Sequence, residues 1–215
     1  MKKIAIIGAG GFGREVKMLI DQINHNEKQY EFIGFYDDNV ESETIINGFK
    51  VLGPINELVQ MDYNLELVIS IADPMIKKKM YETLNNNSFL SFPTLIHPNV
   101  LIGTDEVNIG YGCIICASNI ITVNVSIGNF VTLNLCCTVG HDTKIDDYSS
   151  LMPSVNISGE VIIEDSVYVG TGAKIINLVT IGNSTIVGAG AVVSKSLPEK
   201  CTAVGIPAKP IKFHL

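Results

Sequence analysis

Thr132-Leu133-Asn134-Leu135-Cys136-Cys137-Thr138-Val139-Gly140-His141-Asp142-Thr143-Lys144-Ile145 carries the pattern that decides the fold. Leu133, Val139 and Ile145 lie six residues apart, and the spacing runs on in both directions. Every sixth residue from Ile109 through Ile115, Ile121, Ile127, Leu133, Val139, Ile145, Leu151, Ile157, Ile163, Val169, Ile175, Ile181 and Val187 to Val193 is Ile, Leu or Val. Four places after each anchor the residues are mostly small or β-branched, as at Cys113, Val125, Val131, Cys137, Val155, Val161, Val167, Ala173, Val179 and Ala191. A hexapeptide repeat of this kind is the signature of a parallel β-helix. Each unit reads as one short strand and one turn, and three units close a triangular coil. Residues eighteen apart then lie one above another, at the ~4.8 Å spacing of neighbouring strands. The aliphatic residue points inward. Glycine often follows it, as at Gly110, Gly128, Gly140, Gly170, Gly182 and Gly188, and is expected to relieve the corner. The repeat fills five coils. Ile96 and Ile102 begin a partial coil that is one residue out of phase, which predicts a bulge near Thr104-Asp105-Glu106.

Upstream of about residue 95 the grammar is different. Lys3-Ile4-Ala5-Ile6-Ile7 reads as a buried strand, and Val16, Leu19, Ile20 and Ile23 as one face of a helix. Glu31 to Tyr36 and Leu65 to Ser70 are further strands. Asp73 is the expected N-cap of a second helix with Pro74 at its first position. Asn85-Asn86-Asn87-Ser88 breaks the chain before a last short strand. This is βαβ grammar with a parallel sheet. The fold class is therefore an α/β front unit, a Rossmann-like half over 1–94, then a parallel β-helix over 95–200 and a tail over 201–215.

Of 215 residues, 47% are hydrophobic and 17% charged, and the net charge is −7. So apolar a chain has a core to bury, which excludes disorder, and its low charge points to a heavily buried architecture or an oligomer. The acidic balance argues against a nucleic-acid partner. No stretch approaches the roughly 18–20 apolar residues of a membrane span. The start imitates a signal peptide until Gly8, Gly10, Gly11 and Gly13 interrupt it, so no membrane partner is expected and a cytoplasmic location is. Five cysteines read as free thiols, and the phase of the repeat puts Cys113 and Cys137 inward as packing residues.

The unbroken repeat and the tail Val204-Gly205-Ile206-Pro207-Ala208-Lys209 resemble the left-handed β-helix acyltransferases. The left hand is implied by that resemblance, since general crossover rules favour the right. Gly8-Ala9-Gly10-Gly11-Phe12-Gly13, Gly34-Phe35-Tyr36-Asp37-Asp38, His97-Pro98 and Gly140-His141-Asp142 resemble the branch that acetylates nucleotide-linked amino sugars and sialic acids. That branch includes the bacillosamine, perosamine and viosamine pathway N-acetyltransferases. The resemblance implies an acetyl-CoA-dependent N-acetyltransferase for a nucleotide-linked 4-amino-4,6-dideoxy sugar of surface-glycan biosynthesis. It also implies a homotrimer with active sites between the β-helices. Sialic acid O-acetylation is the alternative within the same fold, and a non-enzymatic scaffold would need an outward Thr ladder that is absent.

His141 is the one histidine inside the repeat, and Asp142 beside it can orient and charge-stabilise an imidazole. The resemblance makes His141 the general base. Gly159 lies eighteen residues on, one coil above His141, and its N–H is implied as donor to the thioester oxygen. Thr171 and Ala189 form another column, implied to bind the pantetheine arm, and Lys209 with Lys195, Lys200 and Lys212 can meet the phosphates. Asn134 is implied to contact the sugar, or else serves a turn. The loop at Gly10, Gly11 and Phe12 opens a helix and can cradle phosphate. With it, Asp37, Asp38, Ala72 and Asp73 are implied to hold the nucleotide, in a unit too short for a full NAD domain. No metal set is expected. Ser150 and Phe12 stand where bacillosamine-type relatives carry histidine, which weighs against that exact substrate.

Overall fold

The computed structural model describes residues 1–214. Its front unit is a sheet flanked by two helices. The elements are β1 (Lys2–Ile7), α1 (Gly11–Asn26), β2 (Tyr30–Tyr36), β3 (Ile45–Ile46), β4 (Phe49–Gly53), β5 (Leu65–Ile69), α2 (Pro74–Leu84) and β6 (Leu90–Ser91). The order is β3-β4-β2-β1-β5-β6, parallel throughout except for the β3–β4 hairpin. Ile4 to Ile7 are fully buried because β1 is central and covered on both faces, as a continuous apolar run demands. Asp73 caps α2, its carboxylate accepting from Met75 N–H and Ile76 N–H at 2.9 and 3.0 Å, with Pro74 next, as the sequence predicts. The hairpin and the 3-10 turn Ile55–Gln60 have no clear period in the sequence and were not foreseen.

From Leu95–Ile96 onward the chain winds into a parallel β-helix of two-residue strands on three faces. Ile115, Leu133, Leu151, Val169 and Val187 pair in register, each eighteen residues from the next, and form one continuous inward column. The anchors and the small inward residues make one buried cluster that includes Cys113 and Cys137. Each buried aliphatic contributes about 1.5–3 kcal/mol. Polar inward residues are satisfied: Asn119, fully buried, donates to the Cys116, Leu133 and Asn134 carbonyls and accepts from Cys137 N–H. The phase slip falls in the turn between strands Leu101–Ile102 and Asn108–Ile109, which holds one residue more than the later corners.

The corner glycines correct one expectation. The left-handed backbone recurs at every sixth residue from Glu106 through Gly112 and Ser118 to Gly190, three places after the anchor from Gly112 on. Most of these residues are not glycine. The glycine directly after the anchor has no positive φ. Its role is close stacking: a Cβ on Gly170 would sit 2.5 Å from Ala189 N in the next coil, and one on Gly140 2.5 Å from the Ser158 carbonyl carbon.

The two units are joined through α2. Lys77 is 1% exposed, and its Nζ donates to Thr132 Oγ1 and Ser150 Oγ, at 3.1 and 3.0 Å, on adjacent coils. Burial with no carboxylate partner pushes its pKa down to about 7. An aromatic group of Tyr81, Phe92, Tyr111, Phe130 and Tyr148 seals the same junction, with Phe130 and Tyr148 stacked 5.5 Å apart. Among the described residues no helix is long and apolar enough to cross a membrane.

Candidate functional site

His141 and Asp142 stand on the corner between strands Thr138–Val139 and Lys144–Ile145, with side chains 57% and 49% exposed. His141 Nδ1 lies 2.8 Å from Asp142 Oδ2. A carboxylate can only accept, so Nδ1 carries a proton, and in the neutral ring the free lone pair is on Nε2. The imidazole and an amide of Asn124 hold the Asp142 carboxyl below the usual carboxylate range, the imidazole contact being the larger cause. That amide, Nδ2 of Asn124, donates to Asp142 Oδ1 at 2.9 Å from one coil below. Asn124 was not singled out in the sequence, although its place eighteen residues before Asp142 is a signal that could have found it.

Gly159 lies one coil above, and the imidazole occupies the space its side chain would take. A Cβ there would lie 2.4 Å from His141 Cε1 and Nε2. Glu160 N–H donates to His141 O at 2.8 Å, which locks the two coils together at this corner. Among the described residues the Gly159 N–H has no acceptor. A ring nitrogen with a free lone pair beside an unpaired backbone donor can take a proton and stabilise an oxyanion at one place.

Thr171 and Ala189 share a different corner, the one that also carries Leu135 and Pro153. Gly190 N–H donates to Thr171 O at 2.8 Å. The tail crosses the end of this column: Val192 N–H donates to Gly205 O and Ala208 N–H to Val192 O, at 3.1 and 2.8 Å. Lys209 follows at once, exposed and in register with Val204. This column and the His141 corner are thus separated by one strand of the triangle. Asn134 also belongs to the Leu135 corner. It is buried, and its Oδ1 accepts from Leu135 N–H at 2.7 Å, a turn bond.

In the front unit the glycine loop packs as tightly as its composition suggests. A Cβ on Gly13 would come 1.9 Å from Gly8 O, and Gly8 has φ +101°. Gly10 is the N-cap of α1 and supplies no side chain to it, and no acid lies in the first turn, so that helix start is open to an anion. Phe12 packs on the cluster shared with Leu95, Ile114 and Cys116. Asp37 ties the loop together, accepting from Ala9 N–H at 2.7 Å on one oxygen and Asn39 N–H at 2.8 Å on the other. Asp38 accepts from Ile55 N–H with one oxygen. Ala72 and Asp73 follow the C-terminal end of β5, beside β1. Asp73 also lines a cavity of about 470 Å³ against the β-helix, with Met75, Tyr168, Ile186, Lys200 and His214.

Ser150 is fully buried beneath α2 as an acceptor for Lys77, so the position where relatives carry a second histidine serves domain packing here. Burial raises the Cys113, Cys116 and Cys137 thiols to about 11, about 12 and about 12, which suits packing and not nucleophilic work. Cys136 alone is exposed.

Residues 3–84 match the protein-family profile described as the PglD N-terminal domain. GDP-perosamine N-acetyltransferase of Escherichia coli O157:H7 is 34% identical over 219 residues, spanning 99% of this chain and 97% of that protein. The acetyltransferase domain of PglB from Neisseria gonorrhoeae FA1090, solved in complex with acetyl coenzyme A, superposes with a TM-score of 0.88 at 29% identity, covering 98% of this chain and 99% of that one. PerB from Caulobacter crescentus, solved with CoA and GDP-perosamine, gives a TM-score of 0.84 at 27% identity over 99% and 98% of the two chains. The β-helix is of the left-handed type found in these acetyltransferases.

Proposed function

The chain belongs to the hexapeptide-repeat N-acetyltransferases of nucleotide-linked amino sugars, and from that premise we propose that it moves the acetyl group of acetyl-CoA onto the amine of a nucleotide-linked 4-amino-4,6-dideoxy sugar destined for a surface glycan. The observation that carries this reading is the imidazole of His141, held at Nδ1 by Asp142 and resting on Gly159. In a ternary complex Nε2 takes the proton of the sugar amine as the nitrogen attacks the thioester carbon. The Gly159 N–H donates to the oxyanion, and collapse expels the CoA thiolate, which recovers the proton from the imidazolium. Asp142 stabilises that imidazolium while it exists.

Residues 1–94 hold the nucleotide in this reading. The open start of α1 at Gly10, Gly11 and Phe12 takes the diphosphate, and Asp38, Ala72 and Asp73 line the crevice at the strand ends. Asp37 shapes the loop by holding two backbone amides, and the lone pair left on each of its oxygens accepts from the nucleotide. Residues 95–200 carry acetyl-CoA along the Thr171–Ala189 corner, and the tail over 201–215 brings Lys209 to its phosphates. Asn134, buried at the preceding corner of the same coil as His141, is assigned to the sugar through the amide hydrogens that its turn bond leaves free. A base more than half exposed works poorly in bulk water. Packing of a second and third copy around the β-helix would enclose it, and we place the homotrimer in the cytoplasm, where acetyl-CoA and nucleotide sugars are made.

Mass spectrometry of acetyl-CoA reactions with GDP-, UDP- and dTDP-linked 4-amino sugars and with sialic acid tests the reading. One acetylated nucleotide sugar is expected, and product formed only from sialic acid would replace N- by O-acetylation.

A further inference from the structure

Asn124, Asp142, Glu160 and Leu178 occupy the same left-handed corner position on successive coils, with φ of 55°, 55°, 57° and 63°. Side chains at this position stack in a column, and the first two are joined: Asn124 Nδ2 donates to one Asp142 oxygen at 2.9 Å while the other oxygen meets His141 Nδ1 at 2.8 Å. We propose that Asn124 is a positioning residue for the His141 base, fixing the Asp142 carboxylate so that it orients the imidazole and leaves Nε2 as the proton acceptor. The proposal rests on the acetyl-transfer reading above.

Asp142 is half exposed, and a carboxylate there with a single partner would rotate into water. A donor from another coil ties it to the scaffold at a second point. Asn is also among the few side chains that accept a left-handed backbone readily, so one residue meets both the conformational and the bonding demand. Three polar or charged groups bear on His141. Asp142 lies on its own corner, Asn124 is reached through Asp142 from the coil below, and Glu160 sits above, its N–H on His141 O. Among the described residues no lysine or arginine pairs with Asp142. The amide therefore sets how much of the carboxylate's charge reaches the ring.

Two variants keep the corner conformation. Asn124→Asp replaces the donor by a second carboxylate of the same shape, and Asn124→Gly removes it. The imidazole titration of His141 is read by NMR, its signal identified among the four histidines by its loss in His141→Ala. In Asn124→Asp the midpoint is expected to rise by about 0.5–1 pH unit, with the acid limb of the kcat profile moving with it. In Asn124→Gly the plateau kcat is expected to fall about three- to tenfold with KM for acetyl-CoA unchanged. A wild type without acetyl transfer sinks the underlying reading, whereas an active wild type with unchanged titration and kcat in both variants sinks the role of Asn124.

Discussion

One carbon atom decides whether the His141 imidazole can lie where it does. Gly159→Ala would place a methyl 2.4 Å from the ring, so the imidazole must swing away from Asp142. A kcat loss of at least about tenfold is expected, alongside a native circular dichroism spectrum, because the clash is with a half-exposed side chain and not with backbone. His141→Ala is expected to lower kcat by about 10²–10⁴ while calorimetry still shows acetyl-CoA binding. Cys136→Ser/Cys137→Ser should keep near-wild-type turnover; its inactivation, with an acetylated enzyme formed from acetyl-CoA alone, would replace direct transfer by an acyl-cysteine route. The pairing of His141 with Gly159 was legible because stacking turns sequence separation into distance. Asn134 was less so, since one asparagine at a turn reads alike whether it faces a ligand or its own backbone. Asn124 fell outside the pattern because a turn position shows no hydrophobic period.

Elements are stabilised at corners and at the junction by two different devices. Glycine after the anchor permits close approach of coils, so Gly170→Ala is expected to cost about 3 kcal/mol by chemical denaturation. Gly190 has φ +66° and nothing within 4 Å of its missing Cβ, so Gly190→Asn should stay within about 0.5 kcal/mol of wild type. Equal losses at both would overturn the distinction. At the junction, Lys77 has a folded pKa of about 7 against an ordinary 10.5. Between those values the unfolded chain binds a proton that the folded chain does not, so stability rises with pH across that window. The slope from this one group is at most about 1.4 kcal/mol per pH unit, and below about pH 7 it vanishes. Lys77→Met should flatten the rise between pH 7 and pH 10; an unchanged profile would remove Lys77 as its source. The sequence hid this contact because a lysine at one helical position reads as a solvated charge until the surface opposite is known.

For the whole molecule, light scattering should give three times the 23.3 kDa chain mass, and a stable monomer at micromolar concentration would contradict the trimer. The two-part architecture was readable because the helical period stops where the hexad begins. The β3–β4 hairpin was not, since β3 has only two residues, too few for any period to show. The stacking of coils also bears on how fast the chain folds. Strand partners within the β-helix are one coil apart, as Thr132 and Ser150 are, so their separation is about 18/215, or about 0.08 of the chain length. That is a contact order of the kind helical bundles show, in a domain with no helix of its own. Each finished coil presents a complete template edge to the eighteen residues that follow, and the β-helix can extend from a local nucleus without waiting for distant parts of the chain to meet.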